Sequence, residues 1–306
     1  MIFILLLEII RIKKLNKLRE KLVNIKNFKK FQLIKMSDIV LIEKNEEKPI
    51  TTIKLNRLNK KNALNYEMFV ALDKAIDEVE KDKSRVVIIT GGENTFSAGI
   101  DLKMLTGQDK SSDFKTPLRP PNFRYFLNTW LQPIYTKIET MEKPVIARIN
   151  GYCFGAGFEL ALACDFRFAI ENASFTMPES KVGIITDVGG TIRLVRLVGI
   201  TNAKDIILTG RTFDAKEAYR LRVLNNVAKD MGELDEMISV FAGELIDSAP
   251  LAVGFGKRLI NACYGKDTAY GMKLEGFVNS QLLQSKDFIT GAFSRLQKKK
   301  PKWKWK

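Results

Sequence analysis

The chain predicts an α/β fold in which short, buried parallel strands alternate with helices. Three observations carry this. Val86–Thr90 is an unbroken apolar run that ends on Gly91-Gly92, the pattern of a strand buried on both faces. Val145–Ile149 repeats that pattern. Between the first strands and these runs, Tyr66–Lys81 sets Met68, Leu72, Ile76 and Val79 on one side of a helix. Strands interleaved with helices in this way define the α/β class.

Taken in order, the chain opens with a segment unlike the rest. Residues 1–35 hold ten Lys/Arg and two Glu, while 298–306 hold six Lys, so these two ends carry nearly all of the formal +15. The remaining residues are almost neutral, and the basicity belongs to tails rather than to a face that would bind nucleic acid. The first ten residues are apolar but interrupted by Glu8 and too short to span a bilayer. They lack a secretory start, and the Lys-rich continuation departs from an Arg-rich, acid-poor presequence. The segment is read as a targeting stretch, a docking helix or a mis-assigned start ahead of Met36. Mitochondrial or cytoplasmic residence is expected, with no peroxisomal SKL-type ending.

Beyond it, 39–43 and Ile50–Leu55 read as strands joined by a polar turn over 44–48. Residues 106–122 are polar, hold three prolines and lack periodicity, and are expected to form a mobile loop at a site mouth. Helical patterns dominate from 234 to 297, and no internal repeat is evident.

The chain has no histidine, which excludes Ser-His-Asp and Cys-His catalysis and every His-based metal site. Cys153, Cys164 and Cys263 lack CxxC spacing, so neither a disulfide framework nor a zinc ribbon is expected. A reducing compartment follows. No metal ligand set is expected.

Carboxylates are what remains for proton chemistry. Glu159 follows the small-residue run Gly155-Ala156-Gly157, Glu179 sits after Pro178, and Asp187 precedes Gly189-Gly190. Each lies near a Gly or Pro turn, where burial can tune a carboxyl toward the working pH. On local pattern alone, Glu159 equally fits a helix start and Asp187 a turn acid.

Five blocks in fixed order bear on that choice. They are RLNKKNALN (57–65), NTFSAGIDLKML (94–105), KPVIARINGYCFGAGFELALACDFRFA (143–169), ASFTMPESKVGIITDVGGTIRLVRLVG (173–199) and LTGRTFDAKEA (208–218). Together they resemble the enoyl-CoA hydratase/isomerase (crotonase) superfamily from about Met36 to the C-terminus. The resemblance implies a ClpP/crotonase-like spiral of ββα turns over residues 36–230, carrying the site. It also implies a C-terminal helical trimerisation region with a basic tail over 231–306, after the extension at 1–35. A homotrimer or dimer of trimers is expected, with no transmembrane span and no specific nucleic acid.

The implied substrate is an acyl-CoA thioester, with coenzyme A as part of the substrate and no separate cofactor. Reaction places negative charge on the thioester oxygen, which needs donors already aimed at it. Carried over by position, those donors are the backbone N–H groups of Ile100 and Ala156. Glu159 and Glu179 match the family's water-handling glutamates, Glu159 taking the water proton and Glu179 delivering one to the α carbon. Lys61, Ala63, Ala98, Gly99, Ile100, Asp101, Leu102 and Gly157 are the substrate- and CoA-binding candidates, with Arg57 and Lys60 as further cations for the CoA phosphates. Phe293 and Lys298–Lys300 resemble a terminal segment that reaches a neighbouring subunit's CoA.

Having both glutamates favours 2-enoyl-CoA hydration in fatty-acid or amino-acid breakdown. Asp187 stands where hydratases commonly carry glycine and dienoyl-CoA isomerases an aspartate, so Δ3,5-Δ2,4-dienoyl-CoA isomerisation is the alternative. A non-catalytic acyl-CoA- or RNA-binding homologue is the alternative of another class.

Overall fold

The computed structural model describes residues 31–35, 38–92, 94–109 and 120–305. Most of the N-terminal extension, and 110–119 of the expected site-mouth loop, lie outside the described residues.

Strands β1 (Phe31–Lys35), β2 (Val40–Asn45) and β3 (Ile50–Leu55) form an antiparallel edge. The two expected strands are therefore present as β2 and β3, with β2 starting one residue later and ending two residues later than its alternation suggested. The last residues assigned to the extension pair with the core as β1. Helix α1 (Tyr66–Lys81) keeps the expected bounds; the Asn65 side chain caps it by accepting the Met68 N–H at 3.1 Å, and Met68, Leu72, Ile76 and Val79 are all buried.

The chain then winds. Strand β4 (Val86–Thr90) joins the large sheet, β5 (Thr95–Ser97) a small one, and a short helix α2 (Leu102–Leu105) follows. Helix α3 (Pro120–Phe126) begins inside the expected loop, with Pro120 at its first position where the missing N–H costs nothing. A π-helical turn, Leu127–Leu131, leads into α4 (Gln132–Thr140).

The next turn adds β6 (Val145–Ile149), β7 (Tyr152–Phe154) and α5 (Ala156–Ala163). Another adds β8 (Phe166–Ile170), β9 (Ser174–Thr176) and α6 (Gly190–Thr209), which is broken at Gly199. Strand β10 (Phe213–Asp214), α7 (Ala215–Arg220) and β11 (Asn226–Ala228) close the spiral.

The seven-stranded sheet has the order β1-β2-β3-β4-β6-β8-β11, parallel from β3 onward. The four-stranded sheet, β10-β9-β7-β5, stands against it and is parallel except at β10. Each repeated unit is thus a strand in one sheet, a short strand in the other, then a helix. The core between them is largely apolar, with Phe96, Phe158, Phe175 and Tyr135 among its largest fully buried side chains; Asn62, Ser97, Glu159 and Arg167 are buried polar exceptions. Cys153 and Cys164 are buried free thiols within it.

Four helices end the chain: α8 (Met231–Asp247), α9 (Pro250–Cys263), α10 (Thr268–Leu282) and α11 (Lys286–Leu296). Among the described residues no single helix is long and apolar enough to cross a membrane; α8 and α9 pass only as a pair bent by 104°. The basic tail folds back onto these helices. Trp303 Nε1 donates to the Asp247 carbonyl at 3.0 Å, and the N–H groups of Lys304 and Trp305 donate to the buried Asp287 carboxylate at 2.6 and 3.1 Å. Lys300 pairs with Asp247 at 2.7 Å, and the buried Lys143 ammonium lies 5.6 Å from the Trp305 ring centre.

Candidate active site

Helix α5 is apolar on every side except at Glu159, and all eight of its residues are buried. Gly157 fixes where it starts, since a Cβ there would lie 2.5 Å from Ser97 Cβ on β5. Glu159, 1% exposed, therefore enters the site from a rigid, dry element. Its Oε1 accepts the Gly190 N–H at 2.7 Å and the Val188 N–H at 3.1 Å. Burial raises its pKa to about 8, the Asp187 and Glu179 charges add to that, and the two N–H bonds only partly oppose it.

Glu179 stands on the 3₁₀ turn Pro178–Val182. Its Oε1 lies over Gly155, where a Cβ would come within 2.8 Å, and its Oε2 is buried with no hydrogen-bond partner among the described residues. Burial first, and the Asp187 charge second, push it up to about 6. Asp187 is half-buried and also raised to about 6 by burial. No described side chain hydrogen-bonds its carboxylate; its carbonyl accepts Gln132 Nε2 at 2.8 Å. The three acids picked from sequence are thus electrically coupled within one site.

The two expected oxyanion donors lie on touching loops. Leu64 and Ile100 form a parallel bridge in which Leu64 N–H donates to Gly99 O at 2.8 Å and Asp101 N–H to Leu64 O at 2.9 Å. This turns the Ile100 N–H away from the bridge. Ala156 is the first residue of α5, so its N–H has no acceptor within the helix. The loops touch, because a Cβ on Gly99 (φ +89°) would lie 2.8 Å from the Phe154 carbonyl and 3.5 Å from Ala156 N. The positive end of α5 points the same way.

A groove of about 530 Å³ runs up to this point. Ala63, Ala98, Gly99, Ile100, Asp101 and Leu102 line it on one side, Gly155 and Glu179 on the other. Of the cations, Arg57 and Lys60 are on its wall. Arg57 is itself tied down, donating to Asp101 Oδ2 at 2.8 Å and to Ala63 O at 2.9 Å. Lys61 is turned elsewhere: its backbone is left-handed (φ 50°) and its ammonium sits 5.3 Å from the Tyr152 ring centre. Gly157 serves the packing of α5 rather than the groove wall.

Residues that the sequence did not single out complete the site from behind. Tyr135, fully buried on α4, donates its hydroxyl to Ala156 O at 3.0 Å. Burial, then the Glu159 charge, raises its pKa well above normal, so it stays a donor. Arg193 donates to Val188 O at 2.8 Å and is held by Glu139 Oε2 at 2.8 Å. Thr186 and Thr191 close the loop between them with a 2.5 Å hydroxyl–hydroxyl contact.

Comparison with known proteins bears on the family and the fold. The enoyl-CoA hydratase/isomerase family model matches residues 45–306. A carnitinyl-CoA dehydratase of Salmonella heidelberg is 38% identical over 263 residues, covering 84% of this chain and 95% of that protein. The crystal structure of an enoyl-CoA hydratase from Geobacillus kaustophilus superposes with a TM-score of 0.79 at 30% identity, covering 90% of this chain and 100% of the other. One from Thermoplasma volcanium gives 0.74 at 32%, covering 85% and 97%. The spiral with its helical C-terminal region is accordingly the crotonase fold.

Proposed function

This chain belongs to the enoyl-CoA hydratase/isomerase family, and on that premise we propose that it interconverts 3-hydroxyacyl-CoA and 2-enoyl-CoA thioesters by loss and gain of water. The observation that carries this reading is the Glu159–Glu179 pair beside the Ile100 and Ala156 N–H groups, which have no acceptor among the described residues. With Glu159 at about 8 and Glu179 and Asp187 at about 6, the free site near neutral pH holds one proton, on Glu159.

That distribution is the starting state for dehydration. The Glu179 carboxylate takes the α proton, and the C–H electrons move onto the thioester oxygen, where the Ile100 and Ala156 N–H groups hold the enolate. The enolate collapses to form the C2–C3 double bond, the C3–O bond breaks, and the Glu159 proton leaves with the hydroxyl as water. Hydration runs the same steps backward, with Glu159 accepting from water and Glu179 delivering to C2. An oxyanion donor of this kind is worth about 3 kcal/mol of transition-state stabilisation.

The names of the relatives make carnitinyl-CoA the first 3-hydroxyacyl substrate to try. Dienoyl-CoA isomerisation is a second reading, favoured by the half-buried Asp187 carboxylate, which no described side chain hydrogen-bonds. Product analysis with 2-enoyl-CoA, carnitinyl-CoA and 3,5-dienoyl-CoA side by side separates them. Glu179→Gln is the control, expected to cost about 10²–10⁴-fold on the true substrate while CoA binding survives. Conversion of the dienoyl substrate alone would overturn the hydratase–dehydratase reading.

The trimer or dimer of trimers is part of the same proposal. Ile260 (73%), Phe277 (65%) and Leu296 (80%) stand exposed on α9, α10 and α11, apolar surface that assembly would cover. Light scattering on the full chain tests it.

A further inference from the structure

Gln132, Tyr135 and Glu139 occupy positions i, i+3 and i+7 of α4 and so share one face of that helix. Each reaches a different part of the site. Gln132 Nε2 holds the Asp187 carbonyl at 2.8 Å. Tyr135 Oη holds the carbonyl of Ala156, the oxyanion residue, at 3.0 Å. Glu139 holds Arg193, whose Nη1 in turn holds the Val188 carbonyl at 2.8 Å. The carbonyls of the 187–188 stretch are thus pinned on the α4 side, while the Val188 and Gly190 N–H groups point the other way, onto Glu159.

We propose that this face of α4 is the positioning element of the site: it sets the Ala156 N–H against the Glu159 carboxylate at a fixed separation. Gln132, Tyr135 and, through Arg193, Glu139 are positioning residues that need not touch substrate. The proposal rests on the hydratase–dehydratase reading for which groups react, but the clamp itself is testable without turnover. The titratable groups facing Glu159 are Asp187, Glu179 and Tyr135, and Arg193 stands one bond away on the Val188 carbonyl.

The test uses the full chain with Gln132→Ala, Tyr135→Phe and, as a control on the exposed side of the same helix, Thr136→Ala. The readouts are kcat and KM on 2-enoyl-CoA, Tm, and the carboxyl ¹³C titration of Glu159, assigned by its loss in Glu159→Gln. Tyr135→Phe is expected to lower kcat about tenfold with KM little changed, since the oxyanion donor acts in the transition state. Gln132→Ala is expected to move the Glu159 titration upward by about half a unit or more, because loosened N–H groups no longer favour the carboxylate. Thr136→Ala should do neither. A Glu159 titration unmoved in Gln132→Ala, together with kcat within twofold in Tyr135→Phe, would overturn the proposal whatever the change in Tm. An upward titration shift in a protein that turns over none of the CoA substrates would support the clamp and sink the functional reading instead.

Discussion

Glu159 and Gly190 are fitted to each other: the carboxylate accepts the Gly190 N–H at 2.7 Å, and a Cβ on residue 190 would stand 2.6 Å from both Cγ and Oε1 of Glu159. The N–H that steadies the acid can come this close only because residue 190 has no side chain.

Gly190→Ala is therefore expected to cost activity far more than stability. Residue 190 opens α6, where alanine is otherwise welcome. The added methyl meets the Glu159 carboxylate and must push it out of line. A kcat loss of about 10²-fold is expected from misplacing a reacting group, with a cooperative thermal transition retained. Near-normal kcat would mean that Glu159 does not react from the position seen here.

The pH dependence of dehydration should be bell-shaped. Glu179 must be ionised to take the α proton, so activity falls as pH drops through about 6. Glu159 must be protonated to release water, so activity also falls as pH rises through about 8. Profiles of kcat/KM in the free enzyme report these limbs. A profile flat from pH 5 to 9 would exclude this pair as the acid and base.

Glu159 also burdens the fold, in a window set by its own titration. In the unfolded chain it loses its proton near 4.5, whereas in the folded chain it keeps it to about 8. Between these values the folded state binds more protons than the unfolded one, so the group's effect on stability becomes more unfavourable as pH rises. Glu159→Gln removes that dependence. Its Tm advantage over the parent should grow from pH 5 to 8 and level off above. An advantage that shrinks across this range would reverse the assigned sign.

Asp187→Asn separates the two reactions. Hydration and dehydration use Glu159 and Glu179, so a cost below about tenfold is expected on 2-enoyl-CoA. The basic limb should move to lower pH, because the Asp187 charge is the second cause of the raised Glu159 value. Loss of about 10²-fold or more in a folded, CoA-binding variant would promote Asp187 to the acid–base machinery of an isomerase.

Much of the large sheet was legible in sequence, because β4 and β6 are long enough to show a mostly apolar run and β3 a β-branched one, and all stop at polar or glycine punctuation. The small sheet was not: β5, β7 and β9 have three residues each and β10 two, too few for any period to register. That Glu159, Glu179 and Asp187 share one site was readable from side-chain type, turn context and family resemblance. Gln132, Tyr135 and Arg193 were not, since each bonds a backbone carbonyl, and backbone groups leave no mark on sequence. The partners of Gln132 and Tyr135 also lie 55 and 21 residues away. Lys61 and Lys60 show the limit of transferring a basic cluster: adjacent cations in a tight turn point in different directions, and only Lys60 lines the groove.

A protein without histidine has almost nothing to titrate around neutrality. Glu159, Glu179 and Asp187 fall into that empty interval. Apart from the terminal amine, proton exchange by the whole molecule between roughly pH 6.5 and 7.5 then comes mostly from these three groups. A simple potentiometric curve becomes a meter for the active site, and proton exchange with an unbuffered solution on ligand binding would report occupancy without any label or chromophore.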